Sequence, residues 1–202
     1  MEEKKINYEV RSSVVDFETR NDQEEPMVSG YFVRFDDEFK FAPDMSERID
    51  PHAFDETLGN DIKALYDHDT SKVLGRTGNG TLTLRVDDKG VWGDLLINPK
   101  DSEAMSIYSK IKRQDVSGAS FGFTILDQEP ITRSDGGTQW VVKKVDLVET
   151  SITAFPAYSA THIVATRTKQ VDDIKAEKQK AWKENLLKKL KGEKDGTQSV
   201  DD

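Results

Sequence analysis

The chain contains no cysteine. This absence excludes disulfide bonds, thiolate nucleophiles and cysteine-ligated zinc or iron–sulfur sites. Histidine is scarce as well, because the 202 residues include only His52, His68 and His162. Acid–base chemistry by an imidazole, the side chain that titrates nearest neutral pH, therefore has few candidates.

Long apolar runs are also missing. No stretch approaches the roughly 18 apolar residues of a transmembrane helix, and the first ten residues lack the apolar segment of a signal peptide. We therefore expect a soluble, intracellular protein without membrane contact. The net charge of -9 is uneven: residues 1–165 carry -11 and residues 166–202 carry +2. An acidic body repels phosphate, so direct binding of nucleic acid is not expected.

The first 165 residues have the pattern of a mainly β protein. Segments rich in β-branched and aromatic residues alternate with turn signals built from Gly, Asp and Asn. Two hairpins are predicted, over residues 81–97 and 119–148. Many antiparallel strands at this spacing favour a barrel or a sandwich. The predicted strands cover residues 27–35, 81–86, 91–97, 119–126 and 139–148.

Helices are predicted in three places. One spans residues 50–58, where Asp50 can cap and Pro51 suits the first helical position. Another spans residues 101–113, capped by Asp101 or Ser102. A third, over residues 171–190, is rich in strong helix formers. We therefore divide the chain into a domain at 1–165 and a charged helical tail at 166–202, interpreted as a solvated extension or as a docking or processed segment.

His68 is the first candidate for chemistry. It follows the apolar stretch 62–65 at a predicted strand end beside two acids, where a general base could be held, although a surface-loop histidine has the same pattern. On a strand Asp67 and Asp69 would point to the side opposite His68, and no second nitrogen ligand is spaced to join them. We therefore expect no metal and no other cofactor.

Ser120 and Glu149 are the other candidates. Ser120 lies in a run of small residues, and Gly122 would let the backbone approach a substrate, although a bulge or turn has the same composition. The run is not a GxSxG nucleophile elbow. Strand alternation predicts that Glu149 shares a face with Leu147 and Ser151. On an interior face its carboxylate needs a partner such as an imidazole N–H, and on an exterior face it is an ordinary surface residue.

Taken together, these stretches resemble the prohead (procapsid maturation) serine proteases of tailed bacteriophages. The resemblance covers roughly residues 28 to 162. One departure is His52, where the family commonly has Gly before Ala-Phe. The matching stretches occur in the family's order: Gly30-Tyr31-Phe32 and Phe35, Glu47-Arg48-Ile49, Ala53-Phe54, Leu65-Tyr66-Asp67-His68-Asp69, Leu74-Gly75-Arg76, Gly90-Val91-Trp92, Ser120-Phe121-Gly122-Phe123, Leu147-Val148-Glu149-Thr150-Ser151 and Phe155-Pro156-Ala157-Tyr158.

The resemblance implies a mainly antiparallel β-barrel with flanking helices, similar to herpesvirus assemblin. It also implies that Ser120 is the nucleophile, His68 the general base and Glu149 the acid that orients His68. Assemblin-like enzymes of herpesviruses use a second histidine as the third member. His52 and His162 are therefore kept as rivals for that role. Ser117 lies outside the motif and is the nearest alternative nucleophile.

The resemblance further implies a place of action and substrates. The expected site of action is the interior of the prohead, in the cytoplasm of the bacterial host. The expected substrates are the scaffold, or the scaffold-like segment of the major capsid protein, and the protease itself, with the tail as an expendable piece. The portal protein and a second copy of the chain are further candidate partners. The alternatives are a non-enzymatic capsid-assembly protein on the same fold, and an unrelated esterase or amidase with the same triad.

Overall fold

The computed structural model describes residues 8–22, 25–155, 172–173, 176–177, 179–184 and 186–188. The chain divides into two compact units, Met1–Ser159 and Ala160–Asp202. In the second unit the described residues are helical. In the first, the strands are β1 (Glu9–Val14), β2 (Glu18–Asp22), β3 (Glu25–Arg34), β4 (Phe39–Ala42), β5 (Met45–Ile49), β6 (Lys63–Tyr66), β7 (Asp69–Arg76), β8 (Leu82–Asp87), β9 (Gly90–Leu96), β10 (Gly118–Thr132) and β11 (Thr138–Thr153); the helix is α1 (Ser102–Lys112), and short 3₁₀ helices lie at Pro51–Phe54 and Thr77–Asn79.

The strands form two sheets. One has four strands in the order β2-β3-β9-β8, and the other has seven, in which β1-β10-β11-β5-β4 form the main path while β6 pairs with β11 and β7. The chain is therefore mainly β, as predicted. The pairings among the described strands leave both sheets open, so the expected closed barrel is not confirmed.

Strand β11 organises the seven-stranded sheet. It pairs with β10 along one edge in an antiparallel hairpin. Its other edge is shared by two parallel partners, β5 along residues 138–142 and β6 along residues 149–152. Because β10 contains Ser120 and β6 leads into His68, the C-terminal half of β11 lies directly between the two chain segments that carry the predicted catalytic residues.

One apolar core joins both sheets, α1 and the first 3₁₀ helix. Its aromatic centre is Phe121, which stacks on Phe123 with ring centroids 5.0 Å apart and meets Phe54 edge-on at 6.2 Å. Alternation along β10 directs Ala119, Phe121 and Phe123 into this core. Ser120 and Gly122 therefore belong to the opposite face of the sheet.

The predicted elements are largely found, with differences in length. Asp50 caps as expected, accepting a hydrogen bond from the His52 N–H at 3.0 Å, but the helix that follows is a single 3₁₀ turn rather than a helix to residue 58. Asp101 caps α1 by accepting from the N–H groups of residues 103 and 104. Within the described residues, no helix is long and apolar enough to cross a membrane.

Candidate functional site

His68 occupies a two-residue turn between β6 and β7. Tyr66 and Asp69 are paired across the turn, and Asp67 and His68 both have positive φ, 51° and 59°. This is the conformation of a type I′ hairpin, which glycine and asparagine adopt more readily than histidine. The end of β11 supports the turn, because Asp67 N–H donates to Ile152 O at 3.0 Å and Ala154 N–H donates to Asp67 Oδ1 at 3.1 Å. Residues in this conformation cost on the order of 1 kcal/mol each and cluster at functional sites.

The His68 imidazole is hydrogen-bonded to a buried carboxylate. Nδ1 lies 2.7 Å from Glu149 Oε1, and the Glu149 side chain is only 2% exposed. The other ring nitrogen, Nε2, is buried and has no hydrogen-bond partner among the described residues. A carboxylate at Nδ1 favours the tautomer that carries the proton on Nδ1 and leaves Nε2 as an acceptor. The arrangement can therefore take up a proton at Nε2.

A β-bulge directs Glu149 toward His68. Gly122 pairs with Glu149 and Phe123 pairs with Leu147, so Val148 is an extra residue on β11. Gly122 and Phe123 are neighbours on opposite faces of β10, and their partners therefore also lie on opposite faces. The prediction that Glu149 shares a face with Leu147 is thus wrong, because it assumed uninterrupted alternation. Leu147 enters the apolar core and Glu149 faces away from it.

Ser120 lies on the same face of the sheet as Glu149. Its cross-strand partner on β11 is Ser151, whose hydroxyl accepts a hydrogen bond from His68 N–H at 3.2 Å. Ser120 is fully buried. Its hydroxyl donates to Arg11 O at 2.9 Å and lies 2.7 Å from Ser12 Oγ on β1. In this structure the Ser120 hydroxyl is therefore bonded to β1.

Gly122 provides the space in which the Glu149 carboxylate sits. A Cβ atom at this position would collide with Glu149 Oε1 and with the ring of Tyr8. Burial and the negative charge of Glu149 both raise the pKa of Tyr8, consistent with the phenol lying near the carboxylate. The glycine was predicted to admit substrate to the backbone, but the neighbours of its missing side chain are Glu149 and Tyr8.

Gly122→Ala is expected to displace Glu149 from His68. Overpacking a filled site costs about 1–3 kcal/mol, and misplacing an orienting group by about 1 Å costs roughly 100-fold in rate. Urea unfolding and a peptide-cleavage assay would measure the two effects. Gly59→Ala is the matched control, because a Cβ there meets nothing within 4 Å. Equal behaviour of the two variants would contradict the assigned role of Gly122.

The remaining predicted site residues lie away from the Glu149 carboxylate or outside the residues that the structure describes. His52 is exposed, and its Nδ1 lies 3.1 Å from Asp55 Oδ2. Asp67 and Asp69 belong to the turn and the start of β7 rather than to one straight strand, so the strand alternation predicted around His68 is wrong. Among the described residues, no group of three or more acidic or histidine side chains could hold a metal ion. His162 lies outside the described residues.

Three polar contacts at the site were not foreseen from the sequence. They are the hydroxyls of Ser12 and Ser151 on either side of Ser120, and the buried ion pair of Arg11 with Glu47 at 2.7 Å. Ser151 could have been found, because it lies two residues after Glu149 on the same strand face. Ser12 and Arg11 belong to a short polar strand that only its pairing with β10 identifies.

An imidazole oriented by a buried carboxylate, on the sheet face that also holds a serine, is the arrangement of residue types that serine hydrolases use. The family model of the caudovirus prohead serine proteases matches residues 10–177. The chain therefore belongs to the caudovirus prohead serine protease family, as the resemblance predicted.

A search of curated proteins found no match. Among solved structures, the chain is similar to the capsid assembly protease gp21 of bacteriophage T4, with 7% sequence identity and a TM-score of 0.46. That similarity covers 73% of this chain and 97% of the gp21 chain.

Proposed function

We propose that this chain is the endopeptidase that matures the phage capsid, with Ser120 as nucleophile, His68 as general base and Glu149 as the acid that orients His68. The observation that carries the proposal is the 2.7 Å contact of His68 Nδ1 with buried Glu149, which leaves Nε2 buried and unbonded among the described residues. An unpaired buried nitrogen is costly and needs an explanation. Accepting the proton of a nucleophile provides one.

The mechanism follows from the roles of these atoms. Ser120 Oγ attacks the scissile carbonyl while His68 Nε2 takes its proton. Glu149 holds the Nδ1 proton and stabilises the imidazolium that forms. His68 then gives the proton to the amine, which leaves as the peptide bond breaks. Water next attacks the acyl group on Ser120 while His68 takes its proton, and His68 returns that proton to Ser120 Oγ as the acyl group leaves. No metal or cofactor takes part in this scheme.

The proposal requires the Ser120 hydroxyl to change partners. In this structure it donates to Arg11 O rather than to His68. Catalytic hydrogen bonds are often long or misdirected before substrate binds, so this arrangement does not exclude catalysis. The proposal requires a Ser120 rotamer that releases Arg11 O and presents the hydroxyl to Nε2.

The proposed substrates come from the biology of the family. They are the scaffold, or the scaffold-like segment of the major capsid protein, cut inside the prohead in the cytoplasm of the bacterial host. The protease is also proposed to cut itself and to release the charged tail at 166–202. The portal protein and a second copy of the chain remain proposed partners.

The buried Ser120 favours a second candidate function. A serine with no exposed surface, bonded on β1 to Arg11 O and Ser12 Oγ, is also what a purely structural strand residue looks like. Under this alternative the chain is a non-enzymatic capsid-assembly protein. The two functions differ in cleavage: the endopeptidase cuts the capsid protein and needs the His68 imidazole to do so, whereas the assembly protein cuts nothing.

Co-expression with the cognate major capsid protein tests the proposal. We expect the wild type to cut the capsid protein and His68→Ala to leave it intact, because removing the general base costs several orders of magnitude in rate. Co-expression lets capsid shells assemble around the enzyme, so a protease that is active only inside an assembled shell can still cut its substrate. Intact-mass spectrometry of every product would locate the cleavage sites and show whether the tail is removed.

His52→Ala is the matched control, because it removes an exposed histidine that was the rival third member. Cleavage that survives this change but not His68→Ala supports the proposed base. Cleavage that survives His68→Ala would refute it. If the wild type cuts nothing in assembled shells, the assembly-protein function is the better account.

A further inference from the structure

The hydroxyl of Ser151 connects the two residues that form the proposed base. It donates to Glu149 Oε2 at 2.7 Å and accepts a hydrogen bond from the main-chain N–H of His68 at 3.2 Å. Ser151 is fully buried. One hydroxyl group therefore satisfies a buried carboxylate oxygen and a turn N–H at the same time.

These contacts restrict both partners of the hydrogen bond between His68 and Glu149. The carboxylate has Oε1 on the imidazole and Oε2 on Ser151, so rotation of the carboxylate plane would break both bonds. The second contact holds the main chain of His68, in a turn with positive φ at two successive residues. Ser151 is thus placed to fix the acid and the turn relative to each other.

We propose that Ser151 is a positioning residue for the His68–Glu149 pair, acting through both groups and not touching substrate. This inference rests on the proposed function for its catalytic consequence, but its structural claim concerns only the bond between Nδ1 and Oε1. Without the hydroxyl, Glu149 Oε2 and His68 N–H lose their partner. The carboxylate and the turn can then move independently, and the imidazole is no longer held in one orientation.

Thr150 supplies a matched control on the same strand. It is also fully buried, but its hydroxyl has no hydrogen-bond partner among the described residues, and it pairs with Phe121 on the opposite face of the sheet. Ser151→Ala and Thr150→Val each delete one buried hydroxyl. Removing an unbonded buried hydroxyl is close to neutral or stabilising, whereas removing a bonded one leaves its partners unsatisfied.

The direct test is proton NMR of the full chain labelled with ¹⁵N-histidine. A proton shared between Nδ1 and a carboxylate at 2.7 Å resonates far downfield of the amide signals, and with three histidines in the chain it is assigned by its loss in His68→Gln. We expect Ser151→Ala to broaden or shift this resonance upfield and Thr150→Val to leave it unchanged. A resonance identical in Ser151→Ala and the wild type would overturn the proposal.

Kinetics on a peptide that spans the capsid cleavage site provide the second readout. Ser151→Ala is expected to lower kcat about 10- to 100-fold with little change in KM, as a misoriented base would. Ser151→Thr keeps the hydroxyl and is expected to recover most of kcat and the downfield resonance. If Ser151→Ala does not fold, Ser151→Cys keeps a side-chain donor, although a larger and weaker one, and should give intermediate values. A loss of stability without any change in kcat or in the resonance would assign Ser151 a structural role instead.

The two readouts separate this inference from the proposed function. If the wild type cleaves nothing, the proposed function fails, and the NMR comparison still decides whether Ser151 positions the pair. If the wild type is active and Ser151→Ala retains both the resonance and kcat, the proposed function stands and the role of Ser151 is refuted.

Discussion

Ser120→Ala is expected to lower kcat/KM by at least about 10⁴-fold while the protein stays folded. Removing the nucleophile of a Ser-His-acid enzyme costs several orders of magnitude, and the residual rate comes from binding and from the remaining polar groups. The folded state loses only the hydrogen bonds of one hydroxyl, to Arg11 O and Ser12 Oγ, at a cost of about 1 kcal/mol. The activity and the stability of this variant should therefore change to very different extents.

The measurement uses a peptide that spans the cleavage site mapped on the capsid protein, with the unfolding midpoint in urea as the measure of stability. Ser117→Ala is the control, because Ser117 is three residues upstream and was the alternative nucleophile. If Ser117→Ala is inactive and Ser120→Ala retains activity, the nucleophile is Ser117. If both variants cleave at the wild-type rate, the serine mechanism is wrong.

Glu47→Gln is expected to have the largest effect on stability. Arg11 Nε lies 2.7 Å from Glu47 Oε1 and Arg11 Nη2 lies 3.0 Å from Oε2, with the Glu47 side chain fully buried. Burial by itself lowers the pKa of Arg11, but the charges and hydrogen bonds of Glu47 and Glu9 together outweigh it and raise that pKa, so the guanidinium stays charged. Breaking a buried pair from one side costs about 3–5 kcal/mol. Because Arg11 also contacts the half-exposed Glu9, we expect the lower end, about 3 kcal/mol.

Urea unfolding of a double-mutant cycle measures this effect. The double variant Arg11→Met with Glu47→Met should recover much of the free energy of unfolding that Glu47→Gln loses, because an apolar pair leaves no buried charge. Glu129→Gln is the exposed control: it breaks the surface pair with Lys143 and should cost less than about 1 kcal/mol. If Glu47→Gln lowers the free energy of unfolding no more than Glu129→Gln does, the expected contribution of the buried pair to stability is wrong.

The buried ion pair of Arg11 and Glu47 also supports the candidate active site. Arg11 is on β1 and Glu47 is on β5, and β1 carries both hydrogen-bond partners of the Ser120 hydroxyl. The ion pair therefore helps to hold β1 in the position in which it contacts the proposed nucleophile. The stability effect is therefore expected to reach the site through β1.

Much of the β structure could be predicted from local pattern. The five predicted strands correspond to β3, β8, β9, β10 and β11, because β-branched and aromatic residues at period two specify a half-buried strand wherever they occur. Strands β1, β2, β4, β5 and β7 were missed, since they are short or rich in polar and charged residues. The extended conformation of β1 and β5 depends on pairing with β10 and β11, which are distant in the sequence.

The sequence by itself determined the family of this protein and the identities of His68, Ser120 and Glu149 as candidates. These residues lie in short stretches whose order along the chain is sufficient for the resemblance, and the family match over residues 10–177 confirms the assignment. It also determined the two hairpins and the caps at Asp50 and Asp101, since turns and caps depend on residues close together in the chain.

Only the tertiary structure decided how these residues meet. The bulge at Val148 turns Glu149 away from the core, the parallel pairing of β6 with β11 brings His68 to it, and β1 takes up the Ser120 hydroxyl. The physical reason is that register, bulges and the pairing of distant strands are set by the packing of the whole sheet. A one-residue shift in any of them reverses the face on which a side chain lies.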